Sequence, residues 1–261
     1  MKVSILQIDA VAGTFDSRVQ TAMEMVQEAE GDLICLPELW AVGFLSFDEF
    51  HESAESITGN LVEQFRNLAQ QKKCFISMGS FIEKDNGNFY NTSVTIDADG
   101  KIISTYRKIH LFTYAGREHE LLSAGDSISI AVSTWGTFGF STCYDLRFPE
   151  QFRKLADKGA NIIVTPSAWP LKRIEHYRLF CQSRAVENLS FMISCNCVGG
   201  TDSYQLGGNS MIVSPFGDIL LEANEEQNIY EVTIDQNEIE LWQNKFSALK
   251  DKKKEPFWHD Q

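Results

Sequence analysis

The chain has 261 residues, and its 36 acidic and 23 basic side chains give a formal net charge of −13. A negative surface repels polyphosphates and anionic lipids, so nucleic acids and membranes are poor candidate partners and a small molecule is favoured. The hydrophobic content of 43% is typical of a globular domain rather than of a disordered chain. A domain of this length can bury a large core without needing a disulfide or a metal ion.

The N-terminus and the cysteines predict a cytoplasmic protein. The first apolar run is short and is broken by Gln7 and Asp9, unlike that of a signal peptide. Most of the six cysteines lie in apolar, strand-like segments, which indicates reduced thiols rather than structural disulfides. The five histidines lack a ligand spacing such as His-x-x-x-His, so we expect no metal site.

The periodicity of apolar residues predicts strands and helices along the whole chain. Strand-like runs cover 2–9, 32–38, 74–83, 89–97, 101–108, 127–134, 137–145, 161–169, 190–198, 208–215 and 229–235. Helical periodicity covers 16–32, 60–73, 149–159 and 173–188. The first of these helices has Asp16 as its predicted N-cap and Gly31 as its predicted stop.

The order of these elements predicts the fold class. Strands that alternate with helices indicate an α/β sandwich. The turns Asn86-Gly87 and Asp99-Gly100 insert hairpins, so the sheets should be mixed. Because no linker, low-complexity tract or internal repeat interrupts the chain, we predict a single domain over 1–261, with a C-terminal tail from about residue 247.

Three reactive side chains stand where predicted strands end. Glu38 ends the run DLICLPE, Lys108 ends KIISTYRK, and Cys143 lies at the end of TFGFSTCYD. Loops at strand ends converge on one crevice in open α/β architectures. We therefore expect a carboxylate, an ammonium group and a thiol to lie side by side.

These three groups suit nucleophilic attack on a carbonyl carbon. The Lys108 cation and the helix that begins near Pro149 are expected to lower the pKa of the Cys143 thiol. Glu38 in a partly dry pocket would take the thiol proton and pass it to a departing amine. Lys108 and the backbone N–H of Tyr144 are the natural donors for the oxyanion.

The same segments resemble the nitrilase, or carbon–nitrogen hydrolase, superfamily. The three motifs, in the family's order and with its approximate separations, are LICLPELW (33–40), YRKIHLF (106–112) and STCYDLRFPE (141–150). The resemblance continues through FYNTSVTID (89–97), RAVEN (184–188) and GGNSMIVSPFGDIL (207–220). It implies a four-layer α-β-β-α sandwich that works without a cofactor and assembles as a homodimer or a larger homo-oligomer.

The resemblance also implies roles for particular residues. Glu38, Lys108 and Cys143 match the family's catalytic triad. A second glutamate is expected after the lysine, and Glu118, which precedes Gly125 by the family's spacing, is favoured over its rival Glu120. This segment departs from the more familiar pattern because it lacks an Asp after Phe112.

Within the superfamily, HLF, CYDLRFPE and the short chain look most like the ω-amidase-like branch. Such enzymes hydrolyse the terminal amide of α-keto acid amides, for example 2-oxoglutaramate to 2-oxoglutarate and ammonia. Tyr144 follows the cysteine where strict nitrilases commonly have Trp, which favours an amide over a nitrile. Arg147 or Arg173 would bind the substrate carboxylate, and Tyr144 and Trp169 would line the pocket.

Other interpretations of these residues remain open. Taken alone, Cys143 would be a core thiol, and Arg147 would be an ion-pair partner of Asp145 or Glu150. A papain-like cysteine–histidine pair would use His110 or His176 as its base. Hydrolysis of deaminated glutathione, of N-carbamoyl amino acids or of nitriles is an alternative activity, and a non-catalytic sandwich that binds metabolites is an alternative class.

Overall fold

The computed structural model describes residues 1–114 and 116–253. The strands in these residues are β1 (Lys2–Gln7), β2 (Leu33–Cys35), β3 (Phe75–Asp85), β4 (Asn88–Ile96), β5 (Ile102–Arg107), β6 (Ser129–Ser133), β7 (Gly136–Phe140), β8 (Ile162–Ser167), β9 (Phe191–Asn196), β10 (Gly200–Thr201), β11 (Tyr204–Gln205), β12 (Met211–Val213), β13 (Ile219–Glu222) and β14 (Asn228–Thr233). The α-helices in them are α1 (Phe15–Glu28), α2 (Asn60–Lys72), α3 (Glu118–Leu121), α4 (Pro149–Asp157), α5 (Ile174–Asn188), α6 (Asn237–Lys245) and α7 (Ala248–Asp251). Short 3₁₀ turns occupy Phe47–Glu49, Cys143–Arg147 and Leu171–Arg173.

Two six-stranded sheets share one pairing pattern. The first has the order β14-β1-β2-β3-β4-β5 and the second the order β6-β7-β8-β9-β12-β13. In both sheets the second, third and fourth strands are parallel and the outer pairs are antiparallel. Parallel neighbours need a crossover connection, which α1 and α2 supply in the first sheet and α4 and α5 in the second. The prediction of mixed sheets is confirmed.

Three apolar cores separate four layers. Side chains of α1 and α2, such as Val26 and Phe65, pack on one face of the first sheet. A second core fills the space between the two sheets, and a third joins the second sheet to α4 and α5. The predicted α-β-β-α sandwich is therefore confirmed.

The central strands are apolar on both faces because each separates two cores. Along β8, Ile162 and Val164 point into the core between the sheets, whereas Ile163 points toward α4 and α5. This follows from the two-residue period of a strand, which sends successive side chains to opposite faces. The hydrophobic run in the sequence is thus a consequence of burial on both sides.

All eleven predicted strands are present, but several are shorter than predicted. The runs predicted over 32–38 and 137–145 leave their sheets at Cys35 and Phe140. Most of the residues beyond these points are buried, but they lie in loops or turns rather than in the sheets, and the sequence pattern did not reveal where each strand ends. The short strands β10, β11 and β13 were not predicted.

The predicted helices also agree in position and differ at their ends. Thr14, not Asp16, caps α1, because its hydroxyl accepts from the Ser17 N–H at 3.2 Å. The helix ends at Glu28, before Gly31. The helices α3, α6 and α7 were not predicted, and α7 lies within the predicted tail, of which residues 254–261 are outside the described part. Among the described residues, no helix is long and apolar enough to cross a bilayer.

The core between the sheets is expected to dominate stability. Phe138 lies there fully buried against Phe75 and Phe140. Truncating Phe138 to alanine should lower the free energy of unfolding by about 3–5 kcal/mol, because it leaves a cavity between two rigid sheets. Urea unfolding measures this loss. Phe246→Ala, at a side chain 58% exposed, is the matched control and should change stability far less; equal losses would contradict this account of the core.

Candidate active site

The three reactive side chains occupy loops that follow strands of both sheets. Glu38 lies just beyond β2, and its N–H donates to the carbonyl of Ser167 at the end of β8, at 3.3 Å. Lys108 follows β5, and its N–H donates to the carbonyl of Asn91 on β4 at 2.8 Å. Cys143 begins the 3₁₀ turn after β7. The structure therefore brings both sheets together at one point.

A buried ion-pair cluster lies at this point. Lys108 Nζ is 2.8 Å from Glu38 Oε1 and 2.9 Å from Glu118 Oε2, and all three side chains are fully buried. Asn91 Nδ2 donates to Oε1 of Glu38 at 2.9 Å and to Oε1 of Glu118 at 2.8 Å. The N–H of Ala168 donates to Glu38 Oε2 at 2.9 Å. The polar atoms of the two carboxylates thus have partners that replace water.

The structure separates the two candidate second glutamates. Glu118 reaches Lys108 and also accepts from the N–H of Phe112 at 2.7 Å. Glu120 has a side chain 57% exposed and is 3.4 Å from Arg117. Of the two, only Glu118 is a member of the cluster.

Burial and charge set the protonation of the cluster. Burial opposes the Lys108 ammonium, but the charges of Glu118 and Glu38 outweigh it, and the pKa of Lys108 is raised. Lys108 therefore stays a cation at neutral pH. Burial also raises the pKa of Glu38; the charge of Lys108 lowers it in part, and the charge of Glu118 raises it further. A carboxylate with a raised pKa is a better base.

The pKa of Cys143 moves in the direction opposite to our expectation. Burial first, and then the negative charge of Glu38, raise the pKa of the thiol well above its ordinary value, although Lys108 acts the other way. The expectation of a lowered pKa was wrong because burial of the thiol and the charge of Glu38 together outweigh the opposing charge of Lys108. The helix α4 begins only at Pro149, beyond the 3₁₀ turn, and a helix dipole acts over about one turn. The resting sulfur is a thiol that needs a base.

The backbone of Cys143 is strained. Its φ of 47° lies in the left-handed region, which side chains with a Cβ rarely adopt. Such strain is common where a fold displays a reactive side chain. Here the turn leaves Cys143 7% exposed, and its side chain lines a pocket while the three charged partners lie beneath.

A pocket that Cys143 helps to line contains the predicted binding residues. Tyr144, Arg147 and Trp169 all line it, as does Arg173. The remaining lining residues are Phe44, Phe112, Ala168, Pro170 and Tyr204. Most of the wall is therefore aromatic or apolar, and its charged groups are two arginines.

Arg147 does not pair with the carboxylates considered for it. Its guanidinium lies 5.0 Å from the Trp169 ring and 5.2 Å from the Phe180 ring, and in the described part of the chain it forms no ion pair. Asp145 is instead buried and accepts from Tyr106 Oη at 2.6 Å. Burial lowers the pKa of Arg147, and the nearby Arg173 charge lowers it further. Two cations thus share a pocket that has no carboxylate to neutralise them among its lining residues.

The histidines proposed for a papain-like pair have other contacts. His110 Nδ1 is 2.7 Å from Asp145, and its ring stacks on Phe148 at 3.7 Å. His176 Nδ1 is 3.5 Å from Arg147. Neither imidazole bonds to Cys143 in the part of the chain that is described, whereas the negative charge of Glu38 raises the pKa of the Cys143 thiol.

Asn91 and Tyr204 are among the site residues that sequence reasoning missed. Asn91 lies in FYNTSVTID, and Tyr204 lies on β11. A buried asparagine on an apolar strand is a signal that could have identified Asn91; nothing in the sequence near Tyr204 indicates a pocket residue. Among the described residues, no group of three or more His, Cys, Asp or Glu side chains could hold a metal ion.

Comparison with known proteins identifies the family. A family model described as carbon-nitrogen hydrolase matches residues 2–244. The chain belongs to the carbon-nitrogen hydrolase family. The resemblance seen in the three motifs is thereby confirmed, and the chain is an amidase-type hydrolase.

Individual family members resemble the chain over most of its length. It is 34% identical to a Paenarthrobacter nicotinovorans protein named 2-oxoglutaramate amidase, with 95% of this chain and 90% of that protein covered. It is 33% identical to a Dictyostelium discoideum protein named deaminated glutathione amidase, with coverage of 78% and 77%. The crystal structure of Saccharomyces cerevisiae Nit3, described as a member of branch 10 of the nitrilase superfamily, matches with a TM-score of 0.87 at 30% identity and covers 94% of each chain.

The glutamates of α3 offer a matched pair of variants. Glu118→Gln removes a charge that balances Lys108, so turnover of an amide substrate should fall by roughly a hundredfold or more, as for other groups that hold catalytic charges. Glu120→Gln, on the same short helix and facing solvent, should change turnover by less than about twofold. Steady-state ammonia release measures both. Equal losses of turnover, or a larger loss for Glu120→Gln, would contradict the assignment of Glu118 as the second glutamate of the site.

Proposed function

We propose that the protein is an ω-amidase-like enzyme, which hydrolyses the terminal amide of a small carboxylated substrate such as 2-oxoglutaramate. One observation carries the proposal: the pocket that exposes Cys143 beside its buried acid–base cluster also holds Arg147 and Arg173, neither of which has a carboxylate partner among the described residues. A thiol beside a base suits attack on an amide, and two guanidinium groups suit a carboxylate. The similarity to proteins named 2-oxoglutaramate amidase supports the same substrate class.

The first half of the reaction forms a thioester. Glu38 takes the Cys143 proton as the sulfur attacks the amide carbon, so a C–S bond forms and the carbonyl π electrons move to oxygen. Lys108 and the Tyr144 N–H stabilise this oxyanion. The carbonyl then re-forms, the C–N bond breaks, and the protonated Glu38 gives its proton to the leaving nitrogen, which departs as ammonia.

The second half hydrolyses the thioester. Water enters the place that ammonia left, and Glu38 takes one of its protons as the oxygen attacks the acyl carbon. Collapse of the second tetrahedral intermediate breaks the C–S bond, and Glu38 returns the proton to sulfur. Because Glu38 handles a proton in each step, its raised pKa suits both acid and base roles near neutral pH.

The rest of the pocket would orient the substrate. The substrate carboxylate would bind Arg147, Arg173 or both, while Tyr144 and Trp169 enclose its carbon chain. An arginine held over aromatic rings loses little freedom on binding, because its planar group is already oriented. The single-domain boundary, a homo-oligomeric state and a cytoplasmic location remain predictions from the sequence.

An ammonia-release assay tests the activity. Incubated with 2-oxoglutaramate, the protein should release ammonia, whereas Cys143→Ala should lose nearly all turnover because no nucleophile remains. Intact-mass analysis of the wild type during turnover should detect an acyl group on Cys143. Glutamine, an N-carbamoyl amino acid, deaminated glutathione and an aliphatic nitrile complete the substrate panel.

The outcomes of this panel separate the alternatives. Equal turnover by wild type and Cys143→Ala would exclude the mechanism. Clear preference for deaminated glutathione or for the nitrile would exclude the ω-amidase assignment while leaving the cysteine mechanism intact. Binding of the keto acid amide without an adduct or ammonia would indicate a metabolite-binding sandwich.

Substrate charge provides a separate test of the arginines. Arg147→Gln should lower kcat/KM for 2-oxoglutaramate by roughly ten- to hundredfold, since it removes a charge-assisted contact, and should affect uncharged pentanamide much less. Arg173→Gln measured in parallel identifies which guanidinium dominates. Arg178→Gln is the control, because Arg178 lies on α5 and pairs with Glu222 on β13. This variant should leave kcat/KM for both substrates unchanged. Equal losses for both substrates would contradict carboxylate recognition.

A further inference from the structure

Asn91 connects the two carboxylates of the cluster. It lies on β4 with its side chain fully buried, and its Nδ2 group donates one hydrogen bond to Glu38 and one to Glu118. Its backbone carbonyl accepts from the Lys108 N–H at 2.8 Å. Asn91 therefore contacts three members of the cluster, although it is not among the residues that line the pocket.

The chemistry of the partners determines the orientation of the Asn91 amide. Ionised carboxylates only accept hydrogen bonds, so the NH₂ group must face them. Asn91 Oδ1 is consequently buried without a hydrogen-bond partner among the described residues. An unpaired buried acceptor is unfavourable, and such groups are rare in folded proteins. The amide thus directs both of its N–H groups to the two carboxylates of the cluster.

The hydrogen bonds distinguish the two oxygens of Glu38. Oε1 accepts from both Lys108 Nζ and Asn91 Nδ2, so its two lone pairs are occupied. Oε2 accepts from the Ala168 N–H and retains one lone pair. The oxygen with spare capacity is the one suited to receive a proton.

From these contacts we propose that Asn91 is a positioning residue, which holds the carboxylates of Glu38 and Glu118 in fixed positions. By occupying Glu38 Oε1, it leaves Glu38 Oε2 as the oxygen that exchanges a proton with Cys143. The proposal rests on the proposed amidase function. Asparagine suits this task because it donates without charge. A second cation in its place would favour the ionised carboxylate further and so weaken Glu38 as a base.

The groups around Glu38 give the direction of the expected change in pH dependence. The titratable side chains that act on it or respond to its charge are Lys108 after β5, Glu118 on α3, Cys143 after β7, Cys197 after β9 and Tyr204 on β11. Removing the Asn91 donor leaves the repulsion between the two carboxylates and takes away a hydrogen bond to the ionised form. The pKa of the base must then rise, and the acidic limb of kcat/KM must move to higher pH.

Two variants test the proposal through the pH profile on 2-oxoglutaramate. In Asn91→Ala, kcat should fall by roughly ten- to hundredfold with KM changed less than about threefold, because Asn91 does not line the pocket. The acidic limb of the kcat/KM profile should move to higher pH by roughly one unit. Asn91→Asp keeps the shape of the side chain and adds a third carboxyl group to the cluster. The acidic limb of this variant should therefore move to a still higher pH. If Asn91→Ala fails to fold, the shape-preserving Asn91→Asp still provides the test.

Asn188 provides a matched control. It is also a fully buried asparagine whose Oδ1 has no partner among the residues that the structure describes, but its Nδ2 donates to the Arg184 carbonyl on α5, away from the cluster. Asn188→Ala should lower the melting temperature without moving the acidic limb. A wild-type limb in both Asn91 variants, or an equal shift in Asn188→Ala, would overturn the positioning role. These results are distinguishable from failure of the amidase function itself, which would appear as no ammonia release by the wild type or as equal turnover by the wild type and Cys143→Ala.

Discussion

The site depends on one interaction, the buried pairing of the Lys108 ammonium group with the carboxylates of Glu38 and Glu118. A buried cation without partners is strongly destabilising, so Lys108 holds Glu38 and Glu118 as firmly as they hold it. Glu38 follows β2, whereas Lys108 and Glu118 both follow β5, so elements attached to the first sheet supply all three charged side chains. The second sheet contributes the backbone groups at the end of β8 that bond to Glu38, which ties the cluster to the packing of the two sheets.

In the proposed mechanism the same burial determines how Cys143 acts as the nucleophile. Burial raises the pKa of both Glu38 and Cys143. In the resting state the sulfur of Cys143 therefore keeps its proton, and Glu38 is the base beside it. Attack then requires proton transfer in the same step. A resting thiol is also a weaker target for oxidants and alkylating agents than a thiolate, which protects the sulfur between turnovers.

Local and global electrostatics act in opposite directions at the pocket. The net charge of −13 repels an anionic substrate at long range. Arg147 and Arg173 place two positive charges in the lining of the pocket, among mostly aromatic and apolar side chains. In the proposed reaction the ends of the strands would supply the acid–base cluster, and the loops that line the pocket would supply the groups that select the substrate.

The sequence alone determined the α/β class, the hairpins and the three strand-end side chains, because period-two burial and Asn-Gly or Asp-Gly turns are local properties. Tertiary structure decided between Glu118 and Glu120, which differ only in which side of a short helix faces the cluster. It also placed Asn91 between two carboxylates distant in the chain, left Arg147 without the carboxylate partners expected for it, and reversed the expected pKa of Cys143. Each of these depends on burial and on the distances between charges from separate strands, and those distances exist only in the folded chain.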